Sequence, residues 1–121
     1  MAAGGFHLTL ERKGEAVHCV LDAGPMRHGC CPSFDSLLES LVQVYGSRLL
    51  AVVMTGMGRD GLAGCRAVKA VGGHVIAQSA AGCSVYGMPK AVADAGLADA
   101  ILPLESIAGA VTACVHGRGG R

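Results

Sequence analysis

The chain has 121 residues, enough for one domain with its own core. Ten Lys and Arg against nine Asp and Glu give a formal net charge of +1, with no Trp, two Phe and two Tyr. This composition argues against nucleic-acid binding, which needs a basic face or stacking aromatics, and no apolar run approaches the roughly 20 residues of a membrane span. Six cysteines without a C-x-x-C pair favour a reduced, cytoplasmic protein over a disulfide scaffold or a zinc site.

The first 24 residues predict a β-hairpin. Phe6, Leu8 and Leu10 alternate with polar residues, and a second alternating run follows the turn-rich stretch 12–15. A loop rich in His, Gly and Cys comes next. A helix is then predicted between Ser33 and Gly46, because apolar residues recur there every three or four positions, Ser is a good N-cap and Gly ends helices.

Strands and helices are predicted to alternate through the rest of the chain. In order they are 49–54, 60–71, 75–77, 89–95, 100–102 and 104–115, and the Gly- and Arg-rich residues 116–121 are predicted to form a flexible tail. The first of these strands is apolar without alternation, which is typical of a strand covered on both faces. The order predicts an α/β fold with a doubly wound, mostly parallel, Rossmann-like sheet, so function is expected in the loops 55–61 and 79–88 at the strands' carboxyl ends.

A glycine-rich loop, Gly56–Gly61, follows a predicted strand and satisfies G-x-G-x-x-G, a pattern of dinucleotide-binding proteins. The acid expected about 20 residues later is replaced by Gln78 and Ser79, and Asp60 places a carboxylate where a pyrophosphate would approach the helix. Such an Asp suits the third member of a Ser-His-Asp triad, where it orients the imidazole. The alternative is that Asp60 is only an N-cap of the helix that follows it.

Five ordered stretches carry a family resemblance. They are Gly4–Leu8 (GGFHL), Gly24-Pro25 with Pro32–Leu37 (GP and PSFDSL), Met54–Gly61 (MTGMGRDG), Ile76–Gln78 (IAQ) and Cys83–Pro89 (CSVYGMP). Together they resemble the catalytic domain of the chemotaxis protein-glutamate methylesterase family, CheB, over about residues 4–115. In one departure, Cys31 stands where the family has an Arg before Pro-Ser.

The resemblance implies a cytoplasmic hydrolase without a cofactor or metal. The family cleaves glutamate methyl esters on methyl-accepting chemotaxis receptors, deamidates receptor glutamines, and uses a Ser-His-Asp triad. Carried over by motif, Asp60 is the triad Asp, and Gly56, Met57 and Gly58 form the active-site loop. Residues 1–115 then correspond to the C-terminal portion of a CheB-type domain, an incomplete version of the fold.

The triad Ser and His precede the G-G-x-H-L stretch in the family, so this chain is expected to carry the Asp without its partners and to be inactive alone. His74 is predicted at the start of a strand, at the sheet edge opposite Asp60, so it is too far away to serve as the base. A triad rebuilt from Ser84 and His28 is disfavoured. An exposed sheet edge is expected to cause self-association or to bind a complementary N-terminal segment. The alternatives are a non-catalytic interaction or remnant domain and a dinucleotide-binding module.

Overall fold

A computed structural model describes residues 5–23, 25, 33–56, 58, 60–81 and 85–118. These residues form an antiparallel hairpin and a separate three-stranded parallel sheet, with four α-helices. The predicted α/β class is therefore confirmed. Within the described residues, no helix combines the length and apolar character needed to cross a membrane.

The hairpin consists of β1 (His7–Lys13) and β2 (Ala16–Asp22), paired in register from His7 opposite Asp22 to Lys13 opposite Ala16. Gly14 makes the tight turn with φ of 64°, a left-handed conformation that glycine adopts without steric cost. The free edge of β1 is joined to the first helix, because the Leu10 N–H donates to Ser40 Oγ.

The first helix, α1 (Phe34–Tyr45), begins and ends where the sequence predicts. Ser33 is its N-cap, with extended backbone angles and a side chain that accepts from the Ser36 N–H. Gly46 closes it at φ of 58° and donates its N–H to the Val42 carbonyl. A short 3-10 turn, Gly46–Arg48, leads into the sheet.

The parallel sheet has the order β3-β4-β5. Its strands and the helices that connect and follow them are β3 (Leu50–Val53), α2 (Leu62–Ala70), β4 (His74–Gln78), α3 (Met88–Asp94), β5 (Ala100–Leu102) and α4 (Leu104–Arg118). Parallel strands need such crossover helices, because the chain must return to the starting edge before it can pair again.

The main core lies on one face of this sheet. Alternate residues of β3 and β4 are buried against α1, α2 and α3. The strands contribute Ala51, Val53, Val75 and Ala77, and the helices contribute Leu38, Cys65, Val68 and Val92. The opposite face is covered by α4, whose Ile107 is buried, as is Ile76 of β4. The two-sided arrangement agrees with the predicted doubly wound sheet.

Most boundaries predicted for the elements after residue 48 lie within one residue of those observed, but two differ by more. Helix α2 begins at Leu62 rather than at 60, because Gly61 has φ of 104° and serves as the N-cap. Helix α4 continues to Arg118, so the predicted tail is helical over 116–118, and its last three residues lie outside the described part of the chain. The predicted core strand also differs: Ala51 and Val53 are buried, whereas Leu50 and Val52 on the other face of β3 are half-buried.

Gly64 of α2 packs directly against Leu38 of α1, and its substitution tests this packing. A Cβ at Gly64 would lie 2.6 Å from Leu38 Cβ, so Gly64→Ala is expected to lower the free energy of unfolding by about 1–3 kcal/mol. Gly109 is the matched control: it is exposed on α4 and its Cβ would meet nothing within 4 Å. Gly109→Ala is expected to stabilise by about 0.5–1 kcal/mol. If Gly64→Ala and Gly109→Ala changed the free energy of unfolding in urea equally, the close packing of Gly64 against Leu38 would be contradicted.

Asp99 supports the amino-terminal edge of the sheet and should make stability depend on pH. Burial alone would raise its pKa, but hydrogen bonds from Lys69 Nζ at 2.6 Å and from the Val75 N–H at 2.8 Å outweigh burial, so the pKa is lowered. Asp99 therefore stabilises the fold above the unfolded pKa of about 3.9, and this contribution is lost as pH falls through the folded value.

Asp99→Asn is expected to cost about 1 kcal/mol or less at pH 7, since the pair is partly exposed. The cost should shrink as pH falls from about 4 towards the lowered pKa of folded Asp99, because protonation of the carboxyl then favours the unfolded wild-type chain. Asp94→Asn removes an exposed i,i+4 partner of Lys90 and should leave the unfolding midpoint unchanged. A pH-independent cost of Asp99→Asn would disprove the charge-based role.

Candidate functional site

The loops that follow β3 and β4 meet at the carboxyl edge of the sheet, as predicted. Gly56 forms an isolated parallel bridge with Tyr86, and the Gly56 carbonyl accepts from the N–H groups of Gly87 and Met88, both at 2.9 Å. Thr55 Oγ1 exchanges hydrogen bonds with the Val85 N–H and carbonyl. The two loops are thus one hydrogen-bonded unit.

Buried Gln78, the last residue of β4, anchors this unit to the sheet. Its Oε1 accepts from the Thr55 N–H at 3.0 Å. Gln78 therefore has a structural bond at the position where a dinucleotide-binding protein would carry its ribose-binding acid.

Gly56 and Gly61 allow side chains to pack closely beneath the glycine-rich loop. A Cβ at Gly56 would lie 2.5 Å from Met88 Sδ, and a Cβ at Gly61 would lie 2.9 Å from the Phe34 ring. Gly58 has φ of 82°, and a Cβ there would meet nothing within 4 Å. Glycine is therefore favoured at this position by the left-handed backbone conformation and not by close packing. Met57, also assigned to the active-site loop, lies outside the described residues.

Asp60 is 6% exposed, and its carboxylate lies at the N-terminus of α1. Its Oδ1 accepts from Ser33 Oγ at 2.8 Å and from the Asp35 N–H at 3.1 Å, while Oδ2 accepts from the Phe34 N–H at 2.6 Å. The positive end of the α1 dipole also favours a negative charge there. Three donors and this dipole hold a carboxylate that would otherwise be costly to bury.

The carboxylate of Asp35, a residue of α1, binds the N-terminus of α2. It is fully buried in the first turn of α1, and its Oδ1 accepts from the N–H groups of Gly61 at 3.0 Å and Gly64 at 2.7 Å. Asp60 therefore caps α1, and Asp35 caps α2. This reciprocal capping locks the N-termini of two helices together and fixes the orientation of the Asp60 carboxylate.

The interpretation of Asp60 as an N-cap of its own helix is wrong. Gly61 occupies that position without a side-chain hydrogen bond, and the carboxylate of Asp60 turns to α1 instead. The sequence reasoning also missed the part of Asp35 in the site. Its presence within the P-S-x-D stretch was the available signal, but spacing alone could not show that α1 and α2 would meet at their N-termini.

The dinucleotide alternative is disfavoured by the same geometry. A phosphate at the start of α2 would need its free N–H groups, yet those of Gly61 and Gly64 already donate to the Asp35 carboxylate. The negative charge of Asp35 would also repel a pyrophosphate.

Histidines within the described part of the chain do not complete a triad. His74 begins β4, at the sheet edge opposite the site, as predicted. Both ring nitrogens of His7 are engaged, by the Pro25 carbonyl and the Ser33 N–H. His28 and Ser84, the residues considered for a rebuilt triad, lie outside the described residues. Over that same portion, no group of three or more His, Cys, Asp or Glu is arranged to hold a metal ion.

The fold and the site place this chain among α/β proteins whose functional loops follow the carboxyl ends of a parallel sheet. A sequence model of the CheB methylesterase family matches residues 1–111. The chain therefore belongs to the CheB methylesterase family, and the resemblance seen in the sequence motifs is confirmed.

Individual relatives agree with this assignment. A protein-glutamate methylesterase/protein-glutamine glutaminase of Moorella thermoacetica is 50% identical over 121 residues, covering 98% of this chain and 28% of that protein. A protein of the same name from Nitrobacter hamburgensis is 47% identical over 108 residues, covering 89% of this chain and 28% of that protein. The crystal structure of the Thermotoga maritima CheB methylesterase catalytic domain superposes with a TM-score of 0.86 at 40% identity, covering 88% of this chain and 56% of that one. The chain thus spans less than a third of these two curated relatives.

Cys65 lies beside this site in α2, and its reactivity reports on the burial of the capped helices. Burial, with a smaller contribution from the Asp35 charge, raises the pKa of the Cys65 thiol to about 12. The thiolate is the reactive form, so Cys65 is expected to resist iodoacetamide at pH 8 in the folded protein. Exposed Cys19 on β2 should be alkylated, as peptide masses would show. Alkylation of both at one rate would contradict the buried site.

Proposed function

We propose that this chain is the Asp-bearing portion of a protein-glutamate methylesterase, and that Asp60 is the Asp of its Ser-His-Asp triad. The observation that carries the proposal is the Asp60 carboxylate: it is buried, oriented by three hydrogen bonds and placed after β3 in the motif that matches the family's signature. The names of the curated relatives support the activity, hydrolysis of glutamate methyl esters together with deamidation of glutamine.

The proposed chemistry uses the remaining acceptor capacity of Asp60. Among the described residues, Oδ1 accepts two hydrogen bonds and Oδ2 accepts one, so Oδ2 can receive the N–H of an imidazole. The bound carboxylate would fix the imidazole tautomer and stabilise the imidazolium that forms when the nucleophilic Ser loses its proton. Attack of the Ser oxygen on the ester carbonyl would expel methanol, protonated by the imidazolium, and leave an acyl-enzyme; water would then hydrolyse that ester to give the free glutamate and restore the Ser.

The nucleophile and base are expected from residues outside this chain, and we place them in the portion of the longer relatives that precedes this segment. The position of β3 at the edge of the described sheet supports this placement. Within the described residues β3 pairs only with β4, and Met54, at the end of the strand, is 40% exposed. A further strand that pairs with β3 in parallel would bring its carboxyl end to the same end of the sheet as Asp60.

The partners follow from the proposed activity. The substrates would be methylated glutamates and glutamines in the cytoplasmic segments of methyl-accepting chemotaxis receptors, and the enzyme would act in the cytoplasm. Self-association, or binding to a complementary segment, would cover the edge of β3 that does not pair with β4.

The activity is tested in a graft. The 121 residues replace the matching segment of the Moorella thermoacetica relative, and methanol release from methylated receptor segments is measured. Asp60→Asn is expected to lower kcat on the order of 10⁴-fold, because the imidazole loses the acceptor that orients it. Asp94→Asn, exposed on α3, is the matched control and should leave kcat unchanged.

Thermal unfolding of each variant checks that lost turnover is not lost folding. The 121-residue chain alone is expected to release no methanol. Full activity of the folded Asp60→Asn graft would refute the assignment of Asp60. Ester hydrolysis by the isolated chain that disappears on Asp60→Ala would show that this chain supplies its own nucleophile and base.

A further inference from the structure

His7 is a buried polar residue that the proposed chemistry does not use. It begins β1 and is 3% exposed. Its Nε2 lies 2.7 Å from the Pro25 carbonyl oxygen, and its Nδ1 lies 3.1 Å from the Ser33 backbone nitrogen. Both ring nitrogens therefore have a backbone partner.

These partners define one tautomer. A carbonyl oxygen only accepts, so Nε2 must carry a proton; a backbone N–H only donates, so Nδ1 must be bare. The neutral Nε2–H imidazole satisfies both contacts. An Nδ1–H imidazole would set two donors against each other at Ser33 and two acceptors against each other at Pro25.

Ser33 links this histidine to the carboxylate of Asp60. Its N–H donates to His7 Nδ1, and its hydroxyl donates to Asp60 Oδ1 at 2.8 Å. Ser33 is 2% exposed, so both bonds are made away from solvent, where an unpaired polar group is costly.

We infer that His7 is a positioning residue for Asp60 and acts through Ser33. By fixing the Ser33 backbone, His7 places the hydroxyl on Oδ1 and the following N–H groups on both carboxylate oxygens, which leaves the remaining acceptor site on Oδ2. The catalytic consequence rests on the proposed function, whereas the positioning itself concerns only this chain.

Two substitutions separate the roles of the ring nitrogens. In His7→Asn the side-chain oxygen can replace Nδ1 and accept from Ser33. In His7→Gln the amide nitrogen can replace Nε2 and donate to Pro25, but the acceptor for Ser33 is lost. His18→Asn, on the exposed face of β2, is the matched control.

Hydrogen exchange of the 121-residue chain, followed by NMR, is the deciding measurement. Protection of the Phe34 and Asp35 amides, which donate to Asp60, is expected to fall about tenfold in His7→Gln. It should stay within about twofold of wild type in His7→Asn and His18→Asn. Amides of β4 should keep their protection in all three, because the effect is local and not a loss of global stability.

A second measurement needs no variant. Long-range ¹⁵N correlation spectra of the wild-type chain should show His7 protonated at Nε2 and bare at Nδ1. An Nδ1–H tautomer would overturn the inference. So would equal loss of protection in the Asn and Gln variants, unchanged protection in both, or a fall that includes the β4 amides.

The graft described above gives the catalytic readout. His7→Gln should lower kcat with little change in KM, and His7→Asn should restore it, because the acceptor for Ser33 is what matters. A graft that is inactive in every form would refute the proposed function while leaving the NMR result to decide the positioning role. Equal kcat in both variants and wild type would overturn the catalytic part of the inference.

Discussion

The structure depends on two carboxylates that cap the N-termini of two neighbouring helices. Asp60 accepts from the first N–H groups of α1, and Asp35 accepts from those at the start of α2. Both carboxylates accept from N–H groups at the start of a helix, which have no partner within that helix. The positive end of the helix dipole adds to this stabilisation. Two acidic groups can therefore be buried next to each other, and the one that follows β3 is held in a single orientation by hydrogen bonds from α1 and Ser33.

The overall architecture could be predicted from the sequence because its signals are local. The apolar spacing from Phe34 to Tyr45, with Ser33 before it and Gly46 after it, defines α1 correctly, and the turn-bounded apolar run defines β3. The start of α2 is less well predicted, because a carboxylate before a helix is typical of an N-cap. The structure instead uses Gly61 there and directs Asp60 elsewhere.

The site is less accessible to sequence reasoning, because its bonds join residues about 25 positions apart. Asp60 could be selected from its motif, but its partners Ser33 and Asp35 are brought to it only by the packing of α1 on α2. His7 looked like a hairpin residue, and alternation in β1 carries no information on the loop carbonyl and N–H that its ring meets. Such bonds become visible only when the topology is known.

The contact between Met88 and Gly56 makes two distant motifs sterically interdependent. The thioether lies where any β-carbon at Gly56 would have to be, and the same two residues share a backbone hydrogen bond. Directed evolution that randomises one loop alone would therefore meet collisions at the other. Libraries that vary both positions together, pairing a larger residue at one with a smaller residue at the other, would open sequence space that single-site scanning cannot reach.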